Sequence, residues 1–352
     1  MRRGLIAWSK AELSEAALAA RVARTQATLA AAGLDALAVY SNNTQPAGAS
    51  WLSGFVPYWS EAMLLLPRTG QPLLVAALTK RVTFWIKGTS RLAEVVSAAR
   101  IGLEAGRIAA SWGSGVVGVA DRECLPSGIA GDMESAGARL VDATELFVGV
   151  RGKADPAEVA LAAHAGAIAH EALAQVSGEE QATAAAVAAI EGQARALGAE
   201  ECYVAIAPDL ARDRRLKRNE GTAPMGASFA VRATVAYKGA WVRAARTLFR
   251  DPARMVLADV AAERFAAAVA ALPSGSGFVG MASWLVEGCR VAQPLASLMG
   301  ARIAVPRAPL AGALVSVQAC VEIEGTPVML GAPALLGAAG ETANVLVPPV
   351  YT

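Results

Sequence analysis

Arg232 and Arg243 lie eleven residues apart in Gly226-Ala-Ser-Phe-Ala-Val-Arg232-Ala-Thr-Val-Ala-Tyr-Lys-Gly239-Ala-Trp-Val-Arg243-Ala-Ala-Arg246-Thr247. The stretch reads as two strands joined by a tight turn at Tyr237-Lys238-Gly239. Two guanidiniums on paired strands suit bidentate capture of a carboxylate or phosphate, with Arg246 close by in sequence. The competing reading is that they pair with local carboxylates such as Glu322 or Glu324 and fill space. Gln318 and Cys320 are two apart on a second predicted strand and so share a face. A thiol nucleophile needs an activating base or a depressed pKa. Arginines can depress a thiol pKa, but the chain holds only two histidines, His164 and His170. They sit six apart on one predicted helix, on different faces. The cysteines therefore read as buried and inert.

Composition removes several classes. There are 32 basic and 30 acidic residues, a net charge of +2. That balance gives no electrostatic case for a nucleic-acid or anionic-membrane partner. The dense basic run Arg212 to Arg218 reads as a solvated loop. Cys124, Cys202, Cys289 and Cys320 are scattered with no CxxC spacing, so neither a zinc knuckle nor a redox pair is expected. Reduced thiols in a cytoplasm are the default. Hydrophobic residues make up 55% and mean hydropathy is +0.40, much of it from alanine. The most apolar run, Ala308 to Val321, is about 14 residues, short of the ~20 a spanning helix needs. The start, Met-Arg-Arg-Gly-Leu-Ile-Ala-Trp-Ser-Lys, lacks the apolar core of a secretory signal.

A chain of 352 residues suits two domains. In the first half, helices are predicted over 12–32, 91–98, 102–112, 129–137 and 142–150. Strands are predicted over 35–40, 49–55, 62–67, 72–77, 115–119 and 139–141. This alternation predicts an α/β domain with a mixed sheet over 1–150. Trp51, Phe55, Trp59 and Trp85 read as core or interface. Arg151-Gly-Lys-Ala-Asp155-Pro156 marks the boundary, with Asp155 capping a helix over 156–176. A second helix is expected from Gly178-Glu179-Glu180 to about Leu197. The rest of 151–352 mixes strands at 228–237, 239–248, 314–321 and 328–336 with helices at 253–272 and 280–287.

The hairpin at 228–248 resembles the metal-binding hairpin of the creatinase / methionine aminopeptidase / Xaa-Pro dipeptidase ("pita-bread") family. Gly226, Gly239, Arg246 and Thr247 fit that pattern. The opening helix, Gly33-Leu-Asp-Ala-Leu-Ala-Val-Tyr40-Ser-Asn-Asn and Trp51-Leu-Ser-Gly54-Phe55 resemble the creatinase/prolidase N-terminal domain. Arg151-Gly-Lys-Ala-Asp-Pro-Ala-Glu158 resembles the family's linker. The resemblance covers nearly the whole chain. It implies an α/β (α+β) fold: a creatinase-like N-terminal domain with a mixed sheet, then a pita-bread domain with a curved antiparallel sheet.

It also implies a two-metal centre held by two Asp, one His and two Glu, in which a metal-bound hydroxide attacks an amide. The two aspartate positions are Arg232 and Arg243 here. Gly288-Cys289-Arg290-Val291-Ala292 puts Cys289 at the histidine. Gln318 takes the first glutamate position, and counting back nine from Gly340 places the second at Gly331. Two cations ~4 Å apart repel by about 4 kcal/mol even at an effective dielectric of ~20, so this pocket would repel metal. Creatinase works without metal, but through a histidine base that this chain lacks. The expectation is therefore a pseudoenzyme with no cofactor, serving as a structural or regulatory subunit. Its partner would be a second copy or a ligand-complete paralogue. The alternatives are a metal-independent hydrolase of a small carboxylate-bearing C–N or amide substrate, or a small-anion binding protein.

Overall fold

A computed structural model describes residues 9–42, 47–55, 60–91, 94–218, 221–272, 280–289, 294–299, 302–304, 311–337 and 341–349. The chain divides into two compact units, Met1–Gly152 and Lys153–Thr352. Trp59 and the Arg290–Ala292 stretch fall outside the described residues.

The first unit opens on α1 (Glu15–Ala31), capped by the Ser14 hydroxyl, which accepts from the Ala17 amide at 3.1 Å. There follow β1 (Ala36–Ser41), α2 (Ala47–Ser53), β2 (Ala62–Pro67), β3 (Leu73–Ala76), α3 (Thr83–Gly88), β4 (Glu94–Ser97), α4 (Ile101–Ala110), β5 (Val116–Ala120), α5 (Ser127–Ser135), β6 (Arg139–Asp142) and α6 (Thr144–Gly152). The sheet order is β4-β3-β2-β1-β5-β6. The β1–β2 and β2–β3 pairs are antiparallel; β3–β4, β1–β5 and β5–β6 are parallel. It is a mixed sheet with apolar clusters on both faces. Leu37, Val39, Leu64 and Leu66 pack on one side; Ala36, Ala38, Met63 and Leu65 pack on the other. Burial on both faces explains why β1 and β2 read as continuous apolar runs rather than alternating ones.

Two sequence expectations change here. Residues 49–55 lie mostly in helix α2, where the Ser53 hydroxyl donates to the Ala49 carbonyl at 2.7 Å. A short apolar run does not distinguish strand from buried helix by period alone. Residues 94–97, expected within a helix, form β4, because Val95 and Val96 extend the ladder opposite Leu74 and Val75.

The second unit starts with α7 (Pro156–Ala174). Asp155 and Glu158 form a reciprocal capping box there, at 2.9 and 3.2 Å. It continues through α8 (Thr183–Ala196), β7 (Glu201–Ala207), β8 (Lys217–Arg218), β9 (Ser228–Tyr237), β10 (Ala240–Phe249), α9 (Val256–Ala270), β11 (Ser283–Gly288), β12 (Pro294–Met299), β13 (Arg302–Ala304), β14 (Leu314–Ile323), β15 (Thr326–Leu335) and β16 (Asn344–Val345). One antiparallel sheet runs β13-β12-β11-β14-β15-β10-β9-β7-β8, with β16 on β15. The expected helix at 280–287 is instead β11, paired with β14 from Ser283↔Cys320 to Gly288↔Val315. Strand β7 was not among the expected elements, and α8 begins at Thr183, later than Gly178.

This sheet is strongly curled. In sheet order β11 and β10 are three places apart, roughly 14 Å in a flat sheet. Yet the Trp241 amide donates to the Cys289 carbonyl at 2.6 Å. Helices α7 and α8 pack on Val204, Ile206, Val231, Ala233, Val235, Val242 and Ala244, and α9 packs on Val317, Ala319, Val328 and Leu330. The alternate positions of each strand line the opposite, concave face. No helix among the described residues is long and apolar enough to cross a membrane.

Candidate functional site

The hairpin β9–β10 turns through Lys238 at φ 45° and Gly239 at φ 87°. Both central residues are left-handed, as a two-residue hairpin turn requires, and Tyr237↔Ala240 closes the ladder. That register sets Arg232 beside Ala245 and Arg243 beside Thr234. Both arginines emerge on the concave face, since their neighbours Val231, Ala233, Val242 and Ala244 belong to the core under the helices.

One line of neighbours crosses the curled sheet: Ala205, Arg232, Ala245, Gly331, Gln318, Leu285. Gly331 matters as a close approach. A Cβ built there would lie 3.1 Å from the Ala245 amide nitrogen and 3.2 Å from the Ala245 Cβ. With only Ala245 and Gly331 between them, the Arg232 side chain reaches over two strands and donates from Nη1 to Gln318 Oε1 at 3.2 Å. The Gln318 amide nitrogen lies 3.9 Å from Met329 Sδ.

A second group centres on Arg243. Its Nη1 donates to Glu287 Oε2 in a close ion pair, with the two side chains 17% and 8% exposed. Its backbone amide donates to Ser316 Oγ at 2.9 Å. Ser316 Oγ is also 3.6 Å from Cys289 Sγ. The structure thus brings Arg232, Gln318 and Gly331 together on one line and Arg243 and Cys289 onto the adjoining group. Burial pushes the Arg232 pKa below its ordinary value; the Arg243 charge adds to this and Glu287 opposes it. The two guanidiniums therefore feel one another. Nε of each is buried without a hydrogen-bond partner.

Two expectations are corrected. Arg246 does not join the other two arginines: it lies on the helix side of β10, where Nη1 donates to the Leu173 carbonyl at 3.4 Å. The carboxylate that meets the site is Glu287, not Glu322 or Glu324. Glu322 pairs with Arg214 at 2.6 Å, and Glu324 sits in the β14–β15 turn at φ 50°. The thiols of Cys320 and Cys289 are apart: Cys320 is level with Ser283 at one end of β11 and Cys289 lies just past the other end. Burial pushes the Cys320 thiol pKa up, with Arg214 opposing and Glu322 assisting. Burial also pushes Cys202 up to about 12.

Glu287 and Ser316 were missed by sequence reasoning. Ser316 was legible, because it stands two residues before Gln318 and so shares its face. Glu287 was hidden by the helical reading of 280–287. The histidines take no part: His164 packs its ring 4.5 Å from that of Tyr237, and His170 lies beside Arg246. In the basic run, Asp213 receives Arg215 at 2.9 Å and Lys217 at 2.6 Å, on exposed side chains.

Among the described residues no three His, Cys, Asp or Glu side chains converge to hold a metal ion. The groups on the concave face do not suit a divalent pair. Those grouped at Arg232 and Arg243 among the described residues are two guanidiniums, an amide, a thiol, a hydroxyl and one carboxylate paired with Arg243.

No family model and no curated protein matches the sequence. Solved structures do match. The X-Pro aminopeptidase of Thermotoga maritima is 14% identical, with 94% of this chain and 99% of that chain covered at a TM-score of 0.67. The prolidase of Pyrococcus horikoshii is 14% identical, covering 95% and 99% at 0.69. The dipeptidase PepE of Mycobacterium ulcerans is 18% identical, covering 94% and 95% at 0.64. Over nearly its whole length the chain has the fold of these proteins.

Proposed function

We propose that this chain, built on the fold of the Xaa-Pro peptidases, is a metal-free, non-hydrolytic protein that serves as a structural or regulatory subunit. The observation that carries the reading is the pair Arg232 and Arg243, diagonal neighbours on the concave face that meet, among the described residues, the one carboxylate of Glu287. A divalent ion placed there would meet net positive charge and no imidazole. A hydrolase would also need a base to deliver a nucleophile. Glu287 is held in its ion pair, and the Cys320 thiol is made less acidic by burial.

The subunit role gives the scaffold a use without chemistry. The partner is a second copy of this chain or a paralogue that retains the metal ligands. Metal analysis of the purified protein, with a panel of Xaa-Pro dipeptides and amidines, tests the first half. The expected result is no stoichiometric manganese, iron, cobalt or zinc and no turnover. Stoichiometric metal with chelator-sensitive turnover would overturn it. Light scattering and co-purification with such a paralogue test the second half. A chain that stays monomeric at all concentrations and captures no paralogue is not a subunit.

A further inference from the structure

We infer that the concave face of the second unit binds one small monocarboxylate at Arg232, with an apolar or aromatic substituent lying against Tyr203 and Trp241. The inference rests on the metal-free reading of the same face.

Charge comes first. Around Arg232, among the described residues, Arg243 adds a second positive charge and Glu287 one negative, which leaves one positive charge unmatched there; the buried Glu201 carboxylate of the same face lies with the Tyr203 hydroxyl. Arg243 has its carboxylate, and Arg246 faces the helices. The unmatched charge therefore belongs to Arg232, whose hydrogen-bond partner is the neutral amide of Gln318. A buried cation without a counter-charge is costly. A monoanion balances it; a dianion would leave excess negative charge beside Glu287.

Fork geometry comes second. Nη1 of Arg232 is engaged by Gln318, and Nε is buried without a partner. The Nε–Nη2 edge is one of the two faces on which a guanidinium takes a carboxylate bidentately. A carboxylate there lies on the same face as Arg243 and Thr234, so the second guanidinium adds long-range attraction.

The wall comes third. Tyr203 stands level with Thr234, and Trp241 lies two residues before Arg243 on the same face. Their rings are stacked, with centroids 6.0 Å apart and planes 9° apart. Tyr203 is 39% exposed. Its hydroxyl is anchored by Glu201. Tyr203, Thr234 and Arg243 share one line across the sheet, and a flat, partly exposed aromatic surface on the line of a cation suits a carboxylic acid with an apolar or aryl group.

The full chain, kept in chelator, would be titrated with acetate, benzoate, phenylacetate, succinate and inorganic phosphate, read by calorimetry and thermal shift. Benzoate or phenylacetate is expected to bind 1:1 and raise Tm, ahead of acetate, succinate and phosphate. Arg232→Gln is expected to abolish binding. Arg232→Lys, which keeps the charge and loses the fork, should weaken it about tenfold or more. Tyr203→Ala should erase the preference of benzoate over acetate. Arg212→Gln, on the exposed loop, should change nothing.

No heat and no shift from any probe at millimolar concentration would overturn the inference, as would unchanged binding by folded Arg232→Gln. Phosphate binding in preference to every carboxylate would overturn the class. Metal content and turnover are read on the same preparation before chelation. Metal with turnover defeats the function proposed above; no metal and no carboxylate defeats only the site proposed here.

Discussion

Each unit of this molecule gathers arginines, and what meets their charge differs in kind between the two. In the first unit the guanidinium carbons of Arg21, Arg24 and Arg151 lie 5.3, 5.4 and 6.0 Å from the Trp51 ring centroid. Arg151 also lies 5.3 Å over Phe147, whose ring meets Trp51 edge-on at 5.9 Å. In the second unit Arg243 meets the Glu287 carboxylate and Arg232 an amide oxygen. An indole face attracts cations through its quadrupole, worth about 2 kcal/mol or more each once desolvated. The ring carries no net charge, so it attracts cations without neutralising them. A carboxylate is stronger but neutralises one charge only. At such a site the second arginine is left without a counter-charge among the described residues, and Arg232 is that residue.

The largest effect is expected on the aromatic side. Trp51 is 5% exposed, and Trp51→Ala should cost about 3–5 kcal/mol in denaturant unfolding. Trp51→Phe keeps a π face and Trp51→Leu does not. Phe should therefore retain more stability than Leu, and equal losses would show that the ring acts only as apolar bulk.

On the ionic side, Glu287→Gln should cost about 3 kcal/mol, because it leaves Arg243 unpaired beside Arg232. The value sits at the low end because Arg243 keeps 17% exposure. The double variant Arg243→Met with Glu287→Leu should recover to within about 1 kcal/mol of the parent, since apolar replacement of a buried pair is near neutral or better. If the double variant is as unstable as the single, the pair contributes packing rather than charge balance.

A smaller loss, about 1–2 kcal/mol, is expected for Gly331→Ala. Its Cβ would stand 3.1 to 3.3 Å from Ala245 and the Val317 carbonyl. It would also raise the floor that the Arg232 side chain crosses. If Gly331→Ala unfolds with the parent midpoint, the strands there have room and the crossing is not tight.

Much of this was legible in the chain, and the failures have physical causes. The β9–β10 hairpin follows from its turn residues, and α7 from Asp155-Pro156 and Glu158, because both signals act over two to four residues. The shared face of Gln318 with Gly331 follows from strand period once the strands are known. Glu287 did not follow. Its segment carries a period that suits a helix, and what makes it a strand is the β14 edge, about thirty residues on. Glu322 lies on the correct face but four residues along from Gln318, about 13 Å, so Arg214 takes it instead. Arg246 was avoidable: three residues from Arg243 on a strand is the opposite face.

That opposite face supplies the smallest test, because Arg246 has a titratable neighbour there. The His170 pKa is pushed below its ordinary value by burial first and by the Arg246 charge second, while Glu171 opposes. A histidine held low in the folded state favours folding fully above the unfolded pKa of about 6.5. That contribution is lost as pH falls through the lower folded pKa, because the unfolded chain takes up the proton first. Arg246→Met keeps the aliphatic stem and removes the charge. His170 should then titrate closer to its ordinary value without reaching it, since burial remains, and the acid-side loss of stability should shift upward and shrink. With only two histidines in the chain, proton NMR resolves the change, and His164, packed on Tyr237, serves as the internal control. An unmoved His170 titration would mean that the Arg246 charge is screened on the helix side. Charge imbalance would then be felt only on the concave face.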